Sequence, residues 1–201
     1  MKEPKNYNNT QASTASTGGS LPAGLYVLKI MQVEETQSKK GKEMLKISFD
    51  IAEGDYKDYY SNRYKSDTRE DKKWSGVTYL LTEDDNGNTS TRFKGFNESV
   101  RQSNTGWSEV WGDKFCANYK GKLVGGVFGE EEYQKTDGST AMSTKLRFWD
   151  SVSNIKEGKI RIPDPKMLPV DNAPYGRPSP ADAASAGFMQ IPDGEEELPF
   201  N

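Results

Sequence analysis

The 201-residue chain contains no histidine and one cysteine, Cys116. The first absence removes the commonest general base and the commonest zinc ligand. With a single thiol, neither a Cys/His metal cluster nor an internal disulfide can form. The sequence has no G-x-x-x-x-G-K-S/T phosphate loop and no G-x-S-x-G elbow. Carboxylate chemistry of the two-metal nuclease kind is the catalytic route this composition leaves open. Together the absences argue against an enzyme, and no cofactor or metal is expected. Nor does any stretch approach the ~18 to 20 consecutive apolar residues that cross a bilayer, so no membrane partner is expected. The opening MKEPKNYNNTQASTASTGGS lacks the apolar centre of a secretory signal. These features lead to the expectation of a cytoplasmic protein.

Apolar residues are also scarce, at 33% of the chain, and their distribution divides it. Residues 1–20 hold almost nothing to bury and read as a disordered N-terminal arm. Residues 21–170 carry most of the aliphatic and aromatic side chains and form the expected folded domain. Residues 171–192, rich in Pro, Ala and Ser, read as a disordered linker, and 193–201 as an acidic tip. The formal charge of −3 is segregated in the same way. The middle of the chain balances acids against bases, while the last 29 residues set Arg177 against Asp182, Asp193, Glu195, Glu196 and Glu197. A balanced domain still binds a polyanion if its cations line one groove, because phosphate neutralisation acts locally.

Residues 24–34 (GLYVLKIMQVE) have strand composition, and 43–53 alternate, with Leu45, Ile47, Phe49 and Ile51 on one face and Lys46, Ser48 and Asp50 on the other. A polar turn with Lys39, Lys40 and Lys42 joins them into a hairpin whose tip is either a solvated turn or an arm for nucleic acid. Residues 76–82 predict a third strand. Residues 83–90 predict a turn, in preference to a calcium loop on Asp84, Asn86 and Asn88 that lacks its glycine and closing glutamate. Phe93, Phe96 and Val100 predict a helix over 91–103. Short helical pieces follow, with Trp107 and Trp111 expected in the core. Residues 122–133 and 140–152 predict the last two strands around the turn Thr136-Asp137-Gly138, and Gly125, Gly126 and Gly129 predict a bulge or a close backbone approach. Strand, strand, strand, helix, strand, strand is the element order of the OB-fold, a mainly β, five-stranded barrel.

Two segments suit nucleic acid. Residues 55–74, DYKDYYSNRYKSDTREDKKW, interleave Tyr56, Tyr59, Tyr60, Tyr64 and Trp74 with Lys57, Arg63, Lys65, Lys72 and Lys73. Aromatic faces stack on bases while cations track the backbone, which is how single strands are held without sequence readout. The competing reading is a solvated loop whose tyrosines cover the core edge. In 144–149, alternation sends Thr144, Leu146 and Phe148 one way and Lys145, Arg147 and Trp149 the other. The second set forms either a stacking platform or, through Trp149, a cover for the barrel end.

The chain closes on Asp193-Gly194-Glu195-Glu196-Glu197-Leu198-Pro199-Phe200-Asn201. Acids followed by an aliphatic residue, Pro and Phe after a Pro/Ala linker resemble the C-terminal tip of bacterial single-stranded DNA-binding proteins. Leu198, Pro199 and Phe200 suit an apolar pocket, and Glu195, Glu196 and Glu197 suit its basic rim. Asn201 departs from the family pattern by moving the terminal carboxylate one residue past Phe200. The region 20–165, beginning Leu21-Pro22-Ala23-Gly24-Leu25-Tyr26, is similar to phage-encoded single-stranded DNA-binding proteins found among replication and recombination genes. That resemblance implies an OB-fold, single-strand binding without sequence preference, and action in the infected bacterial host beside polymerase, helicase or recombinase. The alternative is an OB-like protein-interaction module that binds no nucleic acid. Homo-oligomerisation and the choice of DNA over RNA are left open.

Overall fold

A computed structural model describes residues 20–169 of the chain. The N-terminal arm up to residue 19, the linker and the tip residues Glu195 to Phe200 lie outside the described residues. The elements are β1 (Gly24–Gln37), β2 (Glu43–Ile51), α1 (Tyr59–Ser66), β3 (Val77–Leu81), α2 (Thr91–Ser103), a 3-10 turn (Cys116–Tyr119), β4 (Leu123–Gln134), β5 (Thr140–Asp150) and α3 (Val152–Lys156). The protein is mainly β. Its five strands form one antiparallel sheet in the order β3-β2-β1-β4-β5.

The alternation in β2 sets the core face. Leu45, Ile47, Phe49 and Ile51 are buried, as their period of two requires. In β1, Leu28 and Ile30 face the same core. Pairing then jumps from Ile30–Phe49 to Gln32–Ser48, leaving Met31 as an extra residue, so Val33 takes the next inward place. The stripe Phe93, Phe96 and Val100 on α2 covers this face; each such side chain contributes about 1.5–3 kcal/mol on leaving water. Buried Tyr119 donates its hydroxyl to Asn97 Oδ1 at 2.7 Å, so both polar groups are satisfied inside the core. At the end of α2, the Asn104 side chain donates to the Val100 and Leu123 carbonyls and accepts from Leu123 N–H, tying the helix to β4.

The expected closed barrel is not formed. Strands β3 and β5 are the sheet's two edges, and the gap between them is lined by Phe96 and Trp149, whose ring centroids lie 4.8 Å apart. The glycine cluster in β4 marks close approaches, while the bulge opposite Val127 and Phe128 has its extra residue on β5. A Cβ on Gly125 would fall 2.4 Å from the Ile155 side chain of α3, and one on Gly126 2.5 Å from that of Leu28. In the turn after β3, the Asp84 carboxylate accepts Asn86 N–H at 2.8 Å and Asn88 N–H at 2.9 Å, the geometry of an Asx-turn. Trp107 is buried, as expected, and donates its indole N–H to the Asn118 carbonyl. Trp111 is not in the core: it is 69% exposed, because residues 107–111 are irregular and the helical spacing assumed for the pair does not exist.

Candidate nucleic-acid interface

Residues 55–74 are neither a strand nor an open loop. Two left-handed residues, Gly54 and Asp58, turn the chain off β2, and 59–66 then wind into α1. Buried Asp50, expected on the outer face of β2, is the reason this helix starts where it does: its carboxylate accepts the N–H groups of Tyr60 (2.9 Å) and Ser61 (3.0 Å), as well as the Ser61 hydroxyl.

The aromatic residues of the segment divide into anchors and surface groups. Tyr60 is buried edge-on against Phe49, which places its ring in the core and out of reach of a base. Burial drives its phenol pKa well above the ordinary value. Tyr56 and Tyr59 are half-buried and meet each other edge to face, Tyr56 also meeting Tyr26 and Tyr59 meeting Tyr60. The segment's outermost aromatic pair is exposed Tyr64 with half-buried Trp74, centroids 5.9 Å apart, and Lys72 Nζ sits 4.8 Å from the Tyr64 ring centre. Trp74 is oriented by its indole N–H, which reaches the carbonyls of Phe49 (3.2 Å) and Gly76 (3.1 Å). Lys57, Arg63, Lys65 and Lys73 are exposed, with Arg63 Nη1 donating to the Tyr59 hydroxyl at 3.3 Å. A single surface thus carries two aromatic faces among cations.

The expected face of β5 needs correction. Pairing runs Phe128–Leu146 and then Val127–Phe148, so Arg147 is an inserted residue. Beyond it the alternation inverts. Trp149 turns inward against Phe49 and Phe96, while Phe148 turns out and is 53% exposed. Lys145 and Arg147 remain together. Both reach Glu131, at 3.2 and 3.8 Å, and Lys166 joins them at 2.9 Å. Hydrogen bonds from Lys166 and then Lys145 hold the Glu131 carboxyl below the usual carboxylate range. Three cations share one carboxylate, which leaves local positive charge.

Between the sheet edges lies a cleft of about 260 Å³, walled by Thr78 to Leu80 on β3 and Leu146 to Trp149 on β5, with Arg92 and Gly95 of α2. Exposed Tyr79 and Phe148 flank it, and Arg92 is exposed beside them. Val77, the first residue of β3, follows Trp74 by three positions, so the α1 platform and the cleft are joined along the chain. The arrangement offers flat apolar faces and neighbouring cations, the two elements that a flexible polyanion with π-faces requires.

Sequence reasoning missed Tyr79, Arg92, Phe148 and Lys166. Alternation within 77–81 carried the signal for Tyr79, because Leu80 is buried and its neighbour must face out. Phe148 depends on the bulge, and Lys166 on a bridge from a Pro-flanked segment to Glu131; neither leaves a local sequence signal. Among the described residues, no helix is long and apolar enough to cross a membrane.

Residues 6–79 match a family described as a protein of unknown function (DUF669). The matched span takes in β1, β2, α1 and the whole 55–74 segment, and ends within β3. No curated protein matches the chain.

Proposed function

We propose that this protein binds single-stranded DNA without sequence preference, on an OB-type sheet, and protects it during phage replication or recombination. The observation that carries the reading is the gathering of Lys145, Arg147 and Lys166 on one carboxylate, on the strand that also presents Phe148 to the cleft. The Tyr64/Trp74/Lys72 platform supplies a second stacking surface. The sheet order supports the OB assignment: β1 is central and pairs with both β2 and β4, and α2 lies between β3 and β4 in the chain. The reading involves no catalytic step. The acidic tip would recruit polymerase, helicase or recombinase, and as a polyanion mimic it would compete with DNA for the cations until DNA displaces it.

The test is intrinsic tryptophan fluorescence during titration with a poly-dT oligonucleotide at two salt concentrations, with duplex DNA as control. Quenching by the single strand alone, weakening as salt rises, supports the reading. No response at low salt overturns it in favour of the OB-like interaction module.

A further inference from the structure

A second groove, of about 900 Å³, opens where the far end of the β1–β2 hairpin meets the loop before Cys116. Its chemistry is opposite to that of the nucleic-acid surface. No lysine or arginine lines it. Of its acids, Glu34 is paired with Lys46 at 2.7 Å. Glu35, Glu43, Glu83 and Asp113 have no ion-pair partner among the described residues. Lys42, at the hairpin tip, is taken by Asp85. Four like charges around one depression repel each other, and a cationic ligand relieves that repulsion.

The floor is aromatic. Trp111 lies parallel on Phe115, centroids 5.1 Å apart and planes at 11°, which orders one indole face and leaves the other to solvent at 69% exposure. An ordered, open indole face ringed by carboxylates favours a guanidinium, which stacks on the ring and donates two-pronged hydrogen bonds to carboxylates. The groove is too large for one ion. Among the described residues, no set of His, Cys, Asp and Glu is arranged to hold a metal. Its size and charge fit an extended peptide, and its carboxylates repel nucleic acid.

We propose that this groove docks a basic, arginine-bearing segment of a partner protein, with an arginine on Trp111 and further cations on Glu35, Glu43, Glu83 and Asp113. The site does not depend on the single-strand reading. It would let a partner be held while DNA occupies the opposite chemistry of the β3–β5 cleft.

The experiment uses the full chain and fluorescein-labelled nona-arginine and nona-lysine peptides, followed by anisotropy. Nona-arginine should bind at least threefold more tightly than nona-lysine. Trp111→Ala should weaken nona-arginine at least fivefold while thermal unfolding stays unchanged, since the side chain is mostly exposed. The pair Glu35→Lys with Glu83→Lys should weaken it at least tenfold. The triple change Glu195→Gln, Glu196→Gln and Glu197→Gln, which neutralises the other acidic segment, should change affinity less than twofold. Unchanged binding in Trp111→Ala, or loss confined to the tip variant, overturns the proposal. So does sedimentation showing a dimer that Trp111→Ala dissociates, which would make a second copy of this chain the occupant.

Discussion

The carboxylate of Asp50 on β2 accepts the backbone N–H of Ser61 in α1 at 3.0 Å and, through its other oxygen, that of Tyr60 at 2.9 Å. A strand residue therefore caps a helix that begins nine positions later. The residue formally preceding the helix, Asp58, makes no side-chain cap. The pairing couples the basic-aromatic segment to the core sheet and fixes where Tyr64 is presented.

Replacing Asp50 by alanine leaves buried N–H donors of α1 without acceptors. The expected loss is about 2–4 kcal/mol of unfolding free energy. Asp50→Asn should recover only part of it, because one oxygen becomes a donor facing an N–H. Urea denaturation measures both, and a loss under ~0.5 kcal/mol in the alanine variant would show that Asp50 does not hold the helix.

Gly76 lies where the returning loop meets β2. An added Cβ would sit 2.3 Å from the Phe49 carbonyl oxygen and 2.8 Å from Tyr60 Cγ. Gly76→Ala should therefore cost ~1–3 kcal/mol and disturb the Trp74 indole bonds. The expected signature is a lowered melting temperature together with a shifted tryptophan emission maximum.

Glu131 restrains Lys145, Arg147 and Lys166. Glu131→Gln should tighten binding to poly-dT by ~3–10-fold at low salt and steepen the salt dependence by roughly 0.7 in log–log slope, the value for one more neutralised phosphate. Weaker binding in this variant would mean that the cluster is structural and does not meet the strand.

If strands stack in the cleft, Tyr79→Ala and Phe148→Ala should each weaken poly-dT by ~1–3 kcal/mol with little change in stability, as both rings are exposed. Anisotropy with a labelled oligonucleotide decides. Wild-type affinity in both variants would remove the cleft from the binding surface and leave the Tyr64/Trp74 platform.

Tyr26, Tyr60 and Tyr119 are pushed up chiefly by burial, Tyr26 to about 12 and the other two further. The unfolded value is about 10, so the unfolded chain releases these protons first. Stability is then complete below pH ~10 and falls as pH rises from there through the folded values. Absorbance at 295 nm should show these three tyrosines ionising together with unfolding. A single early transition with the fold intact would contradict the burial.

What was readable locally came true locally. Alternation in β2 and helical spacing in α2 follow from the period of each element and the pull of one apolar face, and both emerged with nearly the expected bounds. The 55–74 segment concealed a helix because its residues show no clear apolar period and its backbone N–H groups are held by Asp50, outside the segment, while the adjacent cap-type residue Asp58 makes no side-chain cap. Alternation failed in β5 because one inserted residue, Arg147, exchanges the faces of Phe148 and Trp149. Nothing in the residue types marks where an insertion falls.

The amino-acid sequence by itself determined the mainly β character, the order of the five strands with α2 between β3 and β4, the inward set of β2 and the stripe of α2, since these depend on the identity and spacing of neighbours; α1 and α3 were not read from it. Only the tertiary structure decided that the sheet stays open between β3 and β5. The same is true of which aromatics face solvent, and of the three cations from distant positions that converge on Glu131. Those features depend on bulges, on a cap borrowed across the chain and on contacts between segments as far apart in the chain as Phe49 and Trp149, which no local pattern encodes.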